Sequence, residues 1–154
     1  MEGSVLQPDT ENININYLAG LIDGEGFFTI NYREEKQSKN GISFTFTPVV
    51  GVHMTSVKLL EDVKKQYGGN LYKRKGTNLI RADWSIRQAA NVYPFLQNLK
   101  PYLKVKVEQA ELLIDFCKRF KFYTGKKYSK LSEEEIKMRR KVKLKLSELN
   151  KRQT

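Results

Sequence analysis

The sequence predicts an α+β domain with the core order αββαββα: a four-stranded antiparallel sheet, helices on one face, and extra C-terminal helices. Three observations carry this. The hydrophobic period switches twice from about 3.6 to 2, so a helix-strand-strand unit occurs twice in succession. Each strand candidate alternates apolar and polar residues, as a sheet with one covered and one open face requires. The 154 residues suit one core of ordinary size, and nothing in the composition calls for a second.

Residues 1–11 are polar and read as a flexible N-terminal segment, followed by one domain over 12–154. Ile13, Tyr17, Leu18, Leu21 and Ile22 recur at helical spacing, with Asn12 or Asn14 as cap and an end near Asp23. Phe28, Ile30 and Tyr32 then alternate with Thr29, Asn31 and Arg33. After a loop at Lys39, Asn40 and Gly41, Phe44 and Phe46 alternate with Thr45 and Thr47, and Pro48 predicts a local bulge. Thr55 or Ser56 caps a second helix carrying Leu59, Leu60, Val63 and Tyr67, which Gly68 and Gly69 stop. Residues 70–75 read as a third strand, and a turn at Gly76, Thr77 and Asn78 leads into the fourth. There Ile80, Ala82, Trp84 and Ile86 oppose Arg81, Asp83, Ser85 and Arg87. A third helix through Ala89, Val92 and Leu96 should kink or restart at Pro94. Pro101 and Gly125 bracket a longer helix from about Val107 to Phe122, and Ser132 with Glu135 forms a capping box for the last. Trp84 and the phenylalanines read as core.

Charge narrows the partners. The net charge is +11, with 11 basic and 10 acidic groups over 1–99 but 17 and 7 over 100–154. A polyanion is the natural partner for such a surface, although a solvated basic helix or a ribosome-associated tail has the same composition. There is no apolar run of membrane-spanning length and no signal-peptide pattern, so a soluble intracellular protein is expected. One cysteine, Cys117, and one histidine, His53, cannot build a zinc site, so any metal must sit on oxygen ligands.

The polar strand face collects Thr29, Asn31, Arg33, Thr45, Thr47, Arg81, Asp83 and Ser85, joined by Lys73 and Lys75 if the third strand keeps the same phase. Hydroxyl, amide and guanidinium groups on strands can read base edges in a major groove. Arg139, Arg140, Lys141, Lys143 and Lys145 either touch phosphates or are simply solvated.

The most informative segment is Leu18-Ala19-Gly20-Leu21-Ile22-Asp23-Gly24-Glu25-Gly26. Gly20 inside a helix costs about 1 kcal/mol relative to Ala, and close approach of another helix over Leu18, Ala19 and Gly20 would offset it. Asp23 and Glu25 stand at the helix C-terminus, where the macrodipole disfavours each by roughly 0.3–1 kcal/mol. Two such helices side by side would bring four carboxylates together, a repulsive cluster unless magnesium or calcium binds there.

These nine residues resemble the signature of the LAGLIDADG homing endonucleases, with Gly24 and Glu25 as the two departures. The duplicated helix-strand-strand unit fits that family, and Pro101 to Lys106 looks like the segment before its long helix. The resemblance covers Asn12 to about Asn150. It implies an endonuclease that hydrolyses one phosphodiester in each strand of a long near-palindromic DNA target, leaving 3′ overhangs. A single motif implies a homodimer packed through Leu18, Ala19 and Gly20. A domain of this length has a diameter of roughly 38 Å, about eleven base pairs, so two copies would cover about two turns of duplex. Carried over onto this sequence, Glu25 and the Gly24 carbonyl hold Mg2+, with Ca2+ expected to bind without supporting cleavage. Lys106 matches the active-site lysine and joins Glu25 as a catalytic residue, with Asp23 the weaker catalytic candidate because its family position is more structural. Relatives often place a water-organising Gln after the second strand; here the segment reads Val52-His53-Met54-Thr55, leaving His53 either as a partial substitute or as a structural residue. The family further implies a gene carried in an intron or intein, in an organelle or a prokaryotic cytoplasm. The alternative on the same scaffold is a non-cleaving RNA-splicing maturase, with RNA as partner, or a DNA-binding regulator.

Overall fold

The computed structural model describes residues 12–37, 41–76, 78–120 and 131–152. The expected N-terminal segment 1–11, the loop residues Lys39 and Asn40, Thr77, Phe122 and Gly125 lie outside the described residues.

Asn14 rather than Asn12 caps the first helix, α1 (Ile15–Glu25), its Oδ1 accepting the Tyr17 N–H at 2.8 Å. The helix runs past Asp23 to Glu25, so both motif carboxylates lie in its last turn. Strands β1 (Gly26–Gln37) and β2 (Gly41–Met54) pair antiparallel in unbroken register, from Gly26 opposite Val52 to Gln37 opposite Gly41. The bulge expected at Pro48 therefore does not form. The Pro48 carbonyl accepts the Gln88 N–H at 3.1 Å, just where β2's pairing with β4 begins at Val49 and Arg87, so the missing N–H interrupts no ladder.

Helix α2 (Val57–Tyr67) stops at Gly68, whose φ of 78° favours glycine. β3 (Asn70–Lys75) and β4 (Ile80–Arg87) complete a sheet ordered β1-β2-β4-β3. Helix α3 (Ala89–Leu99) passes through Pro94 without restarting. A 3₁₀ turn (Lys100–Tyr102) leads to α4 (Val107–Arg119), and α5 (Glu133–Arg152) closes the described chain.

The core lies between the sheet and the helices. Leu18 and Ile22 of α1, Phe28 and Ile30 of β1, Trp84 of β4, Leu96 of α3 and Leu113 of α4 are fully buried, each such large side chain contributing about 1.5–3 kcal/mol. Trp84 also donates its Nε1–H to the Gly68 carbonyl at 2.8 Å. Cys117 is buried, and that burial pushes its thiol up to about 12.

Helix α5 covers the free edge of β1. Lys143 Nζ donates to the Ile30 carbonyl at 2.6 Å, Asn150 to the Phe28 carbonyl at 2.8 Å, and Arg140 to the Tyr32 hydroxyl at 3.0 Å. Covering an edge strand removes a template for unwanted pairing. These contacts overturn the choice between phosphate binding and simple solvation for two of the five basic residues. Arg139 is buried against Phe120 and Lys143 is half-buried on β1, whereas Arg140, though bonded to Tyr32, stays exposed together with Lys141 and Lys145. The capping box forms by half: Ser132 Oγ accepts the Glu135 N–H at 3.1 Å, but the Glu135 carboxylate turns to Arg119 and Arg139. No described helix is long and apolar enough to cross a membrane.

Candidate functional site

The motif helix places its two carboxylates in unlike settings. Asp23 Oδ2 accepts the Lys104 N–H at 2.8 Å, while Oδ1 accepts those of Val105 and Lys106 at 3.1 and 2.9 Å. Three amides at the entrance to α4 are thereby satisfied, and the 104–106 segment is pinned against the end of α1. Asp23, expected among the catalytic residues, is occupied as a structural tether. The tether brings Lys106 Nζ to the Gly26 carbonyl at 2.6 Å. Burial pushes the Lys106 ammonium below its ordinary value, and the charges of Asp23 and Glu25 act against that shift. Gly26 is required sterically, since a Cβ there would lie 2.6 Å from the Ile22 carbonyl oxygen.

Glu25 is exposed, within electrostatic reach of Lys106, and its carboxylate makes no hydrogen bond or ion pair to another described residue. The Gly24 carbonyl beside it belongs to the last helical turn, where carbonyls lack intrahelical partners. No group of three or more His, Cys, Asp and Glu side chains gathers among the described residues. One carboxylate and one carbonyl make a partial site, which fits magnesium: that ion keeps several waters and takes one or two carboxylates together with phosphate oxygens.

The dimer contact expected at Leu18, Ala19 and Gly20 is corrected in its facing. Leu18 and Ala19 are fully buried in the chain's own core and cannot meet another molecule. The outer stripe of α1 is Tyr17, Gly20, Leu21 and Gly24, with Tyr17 exposed and open space around the positions a Cβ would take at Gly20 and Gly24.

On the open side of the sheet, the register groups Thr29, Asn31 and Arg33 of β1 with Thr45, Thr47 and His53 of β2 and Arg81, Asp83, Ser85 and Arg87 of β4. Lys73 and Lys75, expected on this face, are on the other. They pair with Ala82 and Ile80, and Lys73 Nζ reaches Glu61 Oε2 of α2 at 3.3 Å. Cross-strand partners share a face, so the open-side residues of β3 are Asn70, Tyr72 and Arg74. The inward reading of Ile80, carried across the turn to Lys75, was the signal that could have found them. Ser85, expected as a DNA contact, is buried and accepts from Arg87 Nε at 3.1 Å, which makes Arg87 the exposed group there. Asp83, also expected as a contact, is recessed and ion-paired to Arg74 at 2.6 Å. His53 lies on the open face, stacked on Phe27 with ring centroids 4.4 Å apart and bonded to Asp83 at 2.6 Å.

The sequence model of the LAGLIDADG endonuclease family matches residues 18–108, from the motif helix through Lys106. The chain belongs to that family. A curated relative, a probable intron-encoded DNA endonuclease 1 of Mycosarcoma maydis, is 30% identical over 105 residues; the match spans 68% of this chain but only 35% of the relative's length. Among solved structures, the homing endonuclease I-TnaI aligns with 93% of this chain and 99% of its own at a TM-score of 0.70 and 15% identity. The homing endonuclease I-CvuI, solved with DNA in the presence of Mg, aligns with 88% of this chain and 80% of its own at a TM-score of 0.70 and 18% identity. At these identities the structures speak for the LAGLIDADG fold.

Proposed function

We propose that this chain is a homing endonuclease: a homodimer that cleaves both strands of a long near-palindromic DNA target, each copy contributing half of the catalytic centre. The observation that carries this reading is the corner formed by α1 and the 104–106 segment, where Asp23 holds Lys106 beside an uncommitted Glu25. A protein that only binds nucleic acid has no use for an unpaired carboxylate facing phosphate, which sets the maturase and regulator alternative aside. RNA has no support in the fold or the relatives.

Glu25 and the Gly24 carbonyl would hold the divalent ion, magnesium by analogy with the Mg in whose presence the I-CvuI complex was solved. When bound, such an ion polarises a phosphoryl oxygen and makes hydroxide available near neutral pH. Lys106, fixed on the Gly26 carbonyl, places a cation where charge develops on the scissile phosphate. Asp23 keeps it there. The open sheet face, with Asn31, Arg33, Arg74, Arg81 and Arg87, lies in the major groove and selects the target. The outer stripe of α1 forms the two-fold contact.

The test is incubation of the protein with a randomised near-palindromic duplex library. Paired cleavage of a discrete sequence in Mg2+, and binding without cleavage in Ca2+, is expected; binding with no cleavage in Mg2+ or Mn2+ would return the protein to the non-cleaving class. Gly20→Leu should leave the monomer folded, since open space surrounds that position and leucine is the better helix former. Sedimentation should then show the dimer lost.

A further inference from the structure

The open face of the sheet carries a carboxylate that direct base reading does not use. Asp83 sits on β4 directly opposite His53 of β2 and Tyr72 of β3. Its side chain is 18% exposed, against 54% for His53 and 66% for Arg74. Both carboxylate oxygens are engaged, Oδ1 with His53 Nδ1 and Oδ2 with Arg74 Nη2, each at 2.6 Å. A recessed carboxylate whose two oxygens are already paired to His53 and Arg74 is a poorer acceptor for a cytosine amine than a free one.

We propose that Asp83 is a positioning residue that joins Arg74 and His53 into one base-reading unit, so that two nearby base pairs of the target depend on a single recessed anion. The inference rests on the DNA-cleaving reading above. A carboxylate on Nδ1 makes that nitrogen the N–H donor and turns Nε2 outward, where the Nδ1–H tautomer offers an acceptor. An outward acceptor suits the exocyclic amine of adenine or cytosine, whereas the remaining guanidinium donors of Arg74 suit O6 and N7 of guanine. Stacking on Phe27 restrains the His53 ring, and the ion pair restrains the long arginine, so both groups meet DNA with part of their rotamer freedom already removed. Strands β2 and β3 flank β4 and are about 10 Å apart, which places the two reading heads within about three base-pair steps.

The experiment selects duplexes bound by the full-length protein from the randomised near-palindromic library in Ca2+, for the wild type, Arg74→Ala, His53→Ala and Asp83→Asn. Asparagine keeps the size but replaces one acceptor oxygen by a donor. Arg74→Ala should relax one symmetric pair of positions and His53→Ala another. Asp83→Asn should relax both, by roughly tenfold or more at each, with preference elsewhere and thermal stability unchanged. A profile for Asp83→Asn that is unaltered, altered at one position only, or flattened across the whole target overturns the inference while leaving DNA recognition intact. A wild type that selects no sequence overturns the DNA reading and this inference with it. Should Asp83→Asn fail to fold, Asp83→Ser supplies the same comparison.

Discussion

The corner where α1 meets the 104–106 segment and the cluster between α4 and α5 are both built from carboxylates facing cations, but they are finished in opposite ways. Between α4 and α5, Glu135 accepts from Arg119 at 2.6 and 3.1 Å and from Arg139 at 3.0 Å, and it is buried together with Arg139 under Phe116 and Phe120. In the corner, Asp23 is satisfied by three backbone amides while its neighbour Glu25 is left open at the surface. A cluster that only holds the fold uses up its charges; a cluster that works keeps one back. On the proposed reading the open carboxylate of Glu25 is the metal ligand, and Asp23, saturated beside it, holds the 104–106 segment in place.

The sharpest way to break this contrast is at Glu25. Glu25→Gln removes ligand charge but keeps volume, so cleavage should be abolished with thermal stability and DNA binding retained; near-normal cleavage in Mg2+ would take Glu25 out of the chemistry. The converse experiment is Glu135→Ala, which leaves Arg139 buried without its carboxylate. Denaturant unfolding should show a loss of about 3–5 kcal/mol, and protein that remains folded should still cut. Asp23→Ala tests the tether and should do both harms in smaller measure. It leaves three amides without their acceptor, for about 1–3 kcal/mol, and lowers the cleavage rate by releasing Lys106; an unchanged rate would show that the tether does not position the lysine.

The smallest effect is in acid. Burial raises the Glu135 carboxyl, but its hydrogen bonds and charge contacts with Arg119 and Arg139 outweigh that and leave it below the ordinary value. The folded state therefore prefers the ionised form. The stability this supplies is complete above the unfolded carboxyl value of about 4.3 and is lost as pH falls through the lower folded one. Glu135→Gln should flatten that part of the stability profile, and an identical acid limb in both proteins would assign the loss to other carboxylates.

The sequence by itself determined the element order, the alternating strands and the motif, because hydrophobic period and capping chemistry are local. Even the family was legible, since Leu18 to Gly26 is continuous in the chain. What lay across the fold was decided elsewhere. Leu18 and Ala19 turn inward because α1 packs on the sheet, so only tertiary contact tells their face from that of Gly20. The phase of β3 is fixed by pairing Lys75 with Ile80, a contact that exchanges Lys73 and Lys75 for Tyr72 and Arg74. Asp23 and Glu25 are nearly the same chemistry two residues apart. They part in role because amides at positions 104–106, some eighty residues later in the chain, arrive at one and not at the other.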